Sequence, residues 1–312
     1  DQRGTGMSSP LSARTITAVG DAQVQAEYTE LFRADSIIAD AEAVREVLLA
    51  DRADKRWSTI GQSFGGFLTL SYLSFAPQSL RDCRITAGLA PIRTSVDNVY
   101  QHTFDRMKER NEEYYSWFPE DAELATRIAE HLRTHKEYLP TGERLTDHRF
   151  QMAGHFLGGR WRERGLHYFL ETAFAEGNDH LSDQFLTAMG AEVTFQANPL
   201  YALMHETIYA DGPADGVLPG IPGYELSPSP APTNWSAARV AASRPEFAPD
   251  ADRLLFTGEH IFPWYYEEDP SLRPLAEVAN LLAEKKDWGR LYDHEQLHKN
   301  EVPVVAAAYN PD

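Results

Sequence analysis

A glycine-rich turn between a β-prone run and an apolar helix constrains the fold of this chain more than any other feature. The run 57–60 (WSTI) favours a strand, which the turn 61–66 (GQSFGG) interrupts. The residues 66–75 (GFLTLSYLSF) then favour a buried helix that Pro77 ends. A strand that turns directly into a helix is typical of a parallel α/β sheet.

Further segments extend this alternation of strands and helices. Residues 35–50 place five apolar side chains on one helical face, namely Ile38, Ala41, Val44, Val47 and Leu48. The runs 84–90 (RITAGLA) and 302–308 (VPVVAAA) favour buried strands, and a helix is predicted around 286–299. We therefore predict an α/β fold with a mostly parallel sheet.

The middle of the chain differs from its two ends in composition and in the spacing of its apolar residues. It is rich in aromatic and charged residues, and 121–139 repeats its apolar positions at helical period. A segment dense in Gly and Pro at 211–233 is predicted to be a long loop. These changes predict a core in two parts, 1–97 and 286–312, and an inserted, mostly helical domain at 98–285.

Charge and cysteine content limit the partners of the chain. Its 312 residues carry a net charge of −18, which would repel a phosphate backbone and disfavours nucleic-acid binding. No apolar run approaches the roughly 18 residues that a membrane span needs, so no membrane partner is expected. The single cysteine, Cys83, excludes disulfide frameworks and cysteine zinc sites and favours a reducing, cytoplasmic location.

The turn at 61–65 has the pattern G-x-S-x-G, which is associated with a reactive serine. A serine hydroxyl on a strained strand-to-helix turn projects above the sheet, and small flanking residues let the backbones pass. The helix that follows offers the Phe64 amide as one donor to an oxyanion. We interpret Ser63 as a nucleophile, and an ordinary glycine-rich turn is the alternative.

Several motifs together resemble the prolyl aminopeptidases (proline iminopeptidases), especially their larger bacterial subgroup. They are DQRGTGMSSP, GQSFGG, LMHETIYA, TNWSAARV, TGEHIFPWYYE and NEVPVVAAAYNPD. The resemblance covers most of the chain. It implies an α/β-hydrolase core with an inserted helical cap. It also implies a serine exopeptidase that releases N-terminal proline from peptides through an acyl-enzyme, without a cofactor.

The resemblance also implies roles for individual residues. Ser63 matches the nucleophile and Asp312 matches the acid of the triad. Glu206 and Glu259 resemble the cap glutamates that hold the free amine of the substrate. An exopeptidase must recognise a cationic amine at a fixed distance from the scissile carbonyl, and carboxylates supply the opposite charge. The alternative is that both glutamates are solvated surface charges.

Two motifs of the family would lie on either side of this chain. A glycine-rich H-G-G-P-G loop, which supplies the second oxyanion donor, precedes the DQRGTG motif in the family, and the catalytic histidine follows the acid. We therefore expect the chain to be truncated at both ends and to lack that histidine. Neither His205 nor His260 stands in the order of nucleophile, acid and base.

Other functions remain open on the sequence alone. Residues 294–298 (HEQLH) match the H-E-x-x-H pattern of zinc peptidases, but the extended pattern needs Gly and His where Glu301 and Val304 stand. We therefore predict no metal. Another capped α/β-hydrolase, such as an esterase, and a non-catalytic binding protein of the same fold stay as alternatives. An esterase would not need two cap carboxylates.

Overall fold

A computed structural model describes residues 1–92, 94–159, 161–175, 179–212 and 232–309. The strands in this part of the chain, β1 to β5, are Trp57–Gln62, Leu80–Thr86, Glu137–Tyr138, Arg144–Leu145 and Val304–Ala307. The α-helices, α1 to α14, are Ala13–Thr17, Ala22–Glu30, Ala34–Leu48, Phe64–Phe75, Val96–Trp117, Pro119–Thr134, Asp147–Phe150, Glu163–Glu171, Asp183–Glu192, Pro199–Met204, Ser236–Ala241, Tyr265–Glu268, Ala276–Glu284 and His294–His298. The 3-10 helices are Pro77–Ser79, Gln151–Gly158, Glu206–Tyr209, Pro245–Phe247 and Arg273–Leu275.

Two compact units make up the chain. The first comprises Asp1–Val96, Leu200–Asn234 and Glu277–Asp312, of which 93, 213–231 and 310–312 lie outside the described residues. The second comprises Asp97–Pro199 and Trp235–Ala276. The predicted loop at 211–233 therefore falls almost entirely outside the described residues. The assignment of 98–285 as one inserted domain stays a prediction.

In the described residues of the first unit, the sheet has three parallel strands in the order β1, β2, β5. The register pairs Gly61 with Ile85 and Thr86 with Ala307. The carboxyl ends of the three strands therefore lie at one edge, where residue 63 follows β1. The predicted α/β arrangement with a parallel sheet is confirmed for the described residues. Strand β2 begins at Leu80 and ends at Thr86, earlier than the run predicted at 84–90.

Helices α3 and α4 confirm the two helices predicted beside the sheet. A buried cluster joins them to the strands and contains Ile38, Tyr72, Leu73, Ala76, Leu80 and Cys83. Fully burying a large apolar side chain, such as that of Ile38 or Leu73, stabilises a fold by about 1.5–3 kcal/mol. The Cys83 sulfur is a free thiol inside this cluster, and burial raises its pKa.

Helix α3 covers most of the segment whose apolar residues are predicted to share one face, but that face is buried only in part. Ile38 is 6% exposed, but Val44, Val47 and Leu48 are 50%, 76% and 66% exposed. A periodic pattern marks which residues share a face, while burial depends on what packs against that face. Among the described residues these three side chains stay exposed, while Arg45 at the same end of α3 is buried.

The prediction of a helix around 286–299 is wrong for most of that segment. Helix α13 ends at Glu284, and only His294–His298 is helical after it. The backbone amides of Leu291 and Tyr292 donate to Asp211 Oδ1 instead of to carbonyls of a helix. The Asp293 side chain then caps the N-terminus of α14 by accepting from Gln296 N.

The second unit is mostly helical in its described part, with a small antiparallel pair of strands, β3 and β4. Buried side-chain amides bind the backbone of a segment at 254–257 that is neither helix nor strand. Asn111 exchanges two hydrogen bonds with the backbone of Phe256, and Gln151 Nε2 donates to Leu255 O. None of the helices in the described part of the chain combines the length and apolar character that a bilayer crossing requires.

Candidate active site

Ser63 occupies a strained backbone position between β1 and α4. Its φ is 53° and its ψ is −124°, a region that residues with a side chain rarely adopt and that costs about 1–3 kcal/mol. Two backbone hydrogen bonds hold the turn, from Ser63 N to Thr86 O at 3.0 Å and from Gly66 N to Ser63 O at 2.8 Å. Strain of this kind is typical of a serine presented above a sheet.

Three glycines make this turn possible because backbones cross at van der Waals distance. A Cβ atom on Gly61 would lie 2.1 Å from Gly65 O, and one on Gly66 would lie 2.1 Å from Gly88 O. A Cβ atom on Gly88 would lie 2.0 Å from Ser63 O. Sequence reasoning missed Gly88, although a glycine just after strand β2 is a signal of close backbone approach.

The chemistry available at this turn follows from its exposure and from the helix behind it. The Ser63 residue is exposed at the edge of the sheet. Helix α4 begins at Phe64, whose amide lies in the first turn, where a backbone amide has no acceptor four residues earlier within the helix. The positive end of the helix dipole therefore lies beside the serine and favours developing negative charge there.

Glu206 lies in the first unit, on the 3-10 helix Glu206–Tyr209, and its residue is only 6% exposed. Aromatic contacts bring this helix against α4. The Tyr209 ring lies 6.0 Å from the Phe67 ring, which lies 6.1 Å from the Phe64 ring. The structure therefore packs the segment that carries Glu206 against the helix that begins beside Ser63.

Arg33 anchors the C-terminal end of the Glu206 segment. Its guanidinium donates to Ala210 O at 2.5 Å and to Gly289 O at 3.2 Å, and it lies 4.5 Å from the Trp288 ring centroid. Burial lowers the pKa of Arg33, and the charges of neighbouring acids such as Asp35 and Asp211 oppose that shift. This buried cation ties the Glu206 segment to the start of α3.

Glu259 lies in the second unit and is exposed, between the buried residues Gly258 and His260. Aromatic side chains follow it in the sequence. The rings of Phe262 and Trp264 stack at 5.5 Å with 12° between their planes. Each of the two candidate glutamates takes part in an interaction within the protein.

Two further segments are the candidate acid near the C-terminus and the motif at the N-terminus. Asp312 lies outside the described residues, beyond Ala307 at the end of β5. At the N-terminus, the Asp1 carboxylate accepts a hydrogen bond from Met7 N at 2.7 Å. Arg3 Nε donates to Asp40 Oδ2 at 2.6 Å. Asp1 therefore holds the backbone at Met7, and Arg3 ties the N-terminal segment to helix α3, both through charged hydrogen bonds.

Two residues of the H-E-x-x-H segment have polar partners within the first unit. His294 is buried and its Nε2 lies 2.9 Å from Asp211 Oδ2, while Glu295 pairs with Lys299. His298, the second histidine of the pattern, is exposed. Among the described residues, no three His, Cys, Asp or Glu side chains are grouped so that they could hold a metal ion.

Comparison with known proteins finds two close relatives. The proline iminopeptidase of Aeromonas sobria is 42% identical in sequence to this chain over 313 residues. The aligned region covers 100% of this chain and 68% of that protein. The proline iminopeptidase aneH of Aspergillus aculeatus is 36% identical over 315 residues, which take in 98% of this chain and 65% of that protein. The chain thus spans about two thirds of the length of each relative. No protein-family model matches the chain.

Proposed function

Because this chain belongs to the proline iminopeptidase family, we propose that it is a serine exopeptidase that releases N-terminal proline from peptides. The relatives support the reaction class. In this chain, the strained turn at Ser63 is the observation that supports the same reaction. The proposed fold is an α/β-hydrolase core, to which the parallel sheet of the first unit belongs, with the helical second unit as part of a cap.

The proposed reaction begins with attack of Ser63 Oγ on the carbonyl carbon of the N-terminal prolyl residue. The hydroxyl proton passes to a base, which we propose is the histidine that the family resemblance places after the acid Asp312. The tetrahedral oxyanion accepts a hydrogen bond from the Phe64 amide. The base then gives this proton to the departing amine as the carbon–nitrogen bond breaks, which releases the shortened peptide and leaves a prolyl ester on Ser63. Water hydrolyses that ester in the second half of the cycle.

Recognition of the substrate amine is the second part of the proposal. Glu206 and Glu259 are proposed to bind the cationic secondary amine of proline. The burial of Glu206 and the packing of its segment against α4 support this role, since a carboxylate removed from water gains most from a cationic partner. An esterase of the same fold would have no need for these two charges.

The proposed setting is the cytoplasm, with peptides as the substrates. The one cysteine of the chain, a buried free thiol at Cys83, supports a reducing compartment. The net charge of −18 supports the expectation that nucleic acid is not a partner. Separation of cell compartments followed by immunoblotting tests this location.

Two substrates test the proposed function in the full natural protein. A prolyl arylamide carries the free amine, and its N-acetylated form does not. We expect hydrolysis of the first and at least about 100-fold lower kcat/KM for the second, because a neutral amide cannot pair with the carboxylates. Equal turnover of both, or turnover of acetate esters alone, would favour the esterase alternative.

A further inference from the structure

We propose that His260 is a positioning residue whose neutral imidazole fixes the turn that presents Glu259. The inference deepens the proposed function and rests on it, since Glu259 is taken to bind the substrate amine. His260 itself does not touch the substrate. It acts only through the backbone on either side of Glu259.

Two hydrogen bonds close a ring around Glu259. Gly258 N donates to His260 Nδ1 at 3.0 Å, and His260 N donates to Gly258 O at 2.8 Å. Both bonds join the residue before Glu259 to the residue after it. The backbone at Glu259 therefore has one conformation as long as the imidazole stays in place.

The hydrogen bonds also define the tautomer of His260. A backbone amide can only donate, so Nδ1 must be an acceptor and carries no proton. The neutral ring therefore carries its proton on Nε2, which lies 3.0 Å from Thr103 Oγ1. The Thr103 hydroxyl in turn donates to Tyr100 O at 3.0 Å. Both ring nitrogens are thus engaged, which leaves His260 unsuited to act as a general base.

Packing prevents the imidazole from leaving this position. The residue is 1% exposed, and its ring stacks on Phe104 at 3.9 Å with 11° between the planes. The Tyr100 ring lies 5.6 Å away. A Cβ atom on Gly258 would lie 2.8 Å from Met107 Sδ, so the glycine is also confined.

The chain before the turn is fixed as well. Asn111 and Gln151, which are 0% and 3% exposed, hold the backbone of residues 255–257. Thr257 N also donates to Gln151 O at 3.1 Å. Glu259 thus follows directly after a segment whose backbone is held by hydrogen bonds. The contacts of His260 hold the next turn, which contains Glu259 itself. A side chain on a backbone that is already ordered loses less conformational entropy when the substrate binds.

The variant His260→Phe tests the inference, because it keeps a ring against Phe104 but removes both nitrogens. We expect kcat/KM for a prolyl arylamide to fall by about 10- to 100-fold through a higher KM. The rate at which a fluorophosphonate labels Ser63 should stay within about twofold, since that probe has no amine. His260→Asn places an acceptor near the position of Nδ1 and should recover most of the loss.

A double-mutant cycle with Glu259→Gln separates positioning from a general effect on the fold. If His260 acts through Glu259, adding His260→Phe to the Glu259→Gln variant should lower kcat/KM for the prolyl arylamide by less than about twofold. If His260→Phe lowered kcat/KM equally in the wild type and in Glu259→Gln, the inference would be overturned and the proposed function would stand. No loss from Glu259→Gln alone would contradict the proposed role of Glu259, and the inference with it.

Nuclear magnetic resonance gives a readout that does not depend on activity. The ¹⁵N shift of His260 Nδ1 should be that of an unprotonated nitrogen, and the Gly258 amide should exchange slowly with solvent. If His260→Phe fails to fold, these two signals in the unmodified protein decide the question. A protonated Nδ1 or a rapidly exchanging Gly258 amide would overturn the inference.

Discussion

Asp211 Oδ2 lies 2.9 Å from Nε2 of His294, and both residues are buried. The other carboxylate oxygen, Oδ1, accepts from Leu291 N at 2.7 Å and from Tyr292 N at 3.1 Å. One side chain thus satisfies three donors from the segment 291–294. This arrangement explains why the H-E-x-x-H pattern has a structural role and why the chain before it is not helical.

Removal of the Asp211 carboxylate should destabilise the first unit strongly. Asp211→Ala leaves two buried amides and an imidazole without their acceptor, and we expect the free energy of unfolding to fall by about 3–5 kcal/mol. Asp211→Asn keeps one acceptor oxygen and should cost about 1–2 kcal/mol. Urea unfolding measures both. Asp287→Ala, at a carboxylate that is 81% exposed, is the control and should leave the midpoint unchanged.

The glycines around Ser63 should differ sharply in their tolerance of a methyl group. Gly88→Ala forces a Cβ atom to within 2.0 Å of Ser63 O, and we expect a loss of about 3 kcal/mol or more, or failure to fold. A Cβ atom on Gly65 meets nothing within 4 Å. Gly65→Ala lies in helix α4 and should stabilise the fold by about 0.5–1 kcal/mol. Thermal unfolding of the two variants side by side checks this order.

A hydrogen-bond network on Glu42 should make the first unit sensitive to acid. Hydrogen bonds from Arg45, and also from Tyr72 and Ser79, lower the pKa of Glu42 from 4.5 to about 2. The folded-state pKa is below the ordinary value, so the ionised carboxylate stabilises the fold fully above about pH 4.5. That contribution is lost as the pH falls towards 2.

The variant Glu42→Gln isolates this contribution. It should lower the free energy of unfolding at pH 7 and flatten its decline between pH 4.5 and 2. Glu46→Gln is the matched control, since its carboxylate is 73% exposed and lies 3.9 Å from Arg45. A decline equally steep in wild type and Glu42→Gln would contradict the account.

A histidine in the second unit should make that unit sensitive to alkali. Burial alone would lower the pKa of His148, but hydrogen bonds to Asp147 and Glu268 and the charges of both outweigh it and raise the pKa from 6.5 to about 9. The protonated ring therefore stabilises the fold fully below about pH 6.5. This contribution is lost as the pH rises through 9.

Stability measured from about pH 6 to 10 checks the prediction for His148. His148→Gln cannot be protonated, and its free energy of unfolding should vary less over this range than that of the wild type. His298→Gln, at an exposed position on α14, should behave as the wild type does. Parallel curves for wild type and His148→Gln would show that the ion pairs with Asp147 and Glu268 contribute nothing.

The sequence predicts the parallel sheet and the helices α3 and α4 because local periodicity encodes them. Each strand or helix has its own apolar pattern, and the turn at 61–66 has its own glycines. Periodicity does not report what covers a face, and Val47, on the apolar face predicted for α3, is 76% exposed.

Contacts between distant residues account for the rest of what the sequence could not predict. Asp211 and His294 are 83 positions apart, and Thr103 and His260 are 157 positions apart. Each pair gives a histidine of a short sequence motif a polar partner. Only the folded chain brings the partners together, so a short motif cannot reveal them.

The most direct test of the central claim is the site at which a fluorophosphonate probe labels the full natural protein. Peptide mass spectrometry should place the adduct on Ser63, and labelling should stop the hydrolysis of a prolyl arylamide. Ser63→Ala should take up no probe, and its kcat should fall by about 10⁴-fold or more while the fold is retained. An adduct on another residue, or unchanged hydrolysis by Ser63→Ala, would contradict the account.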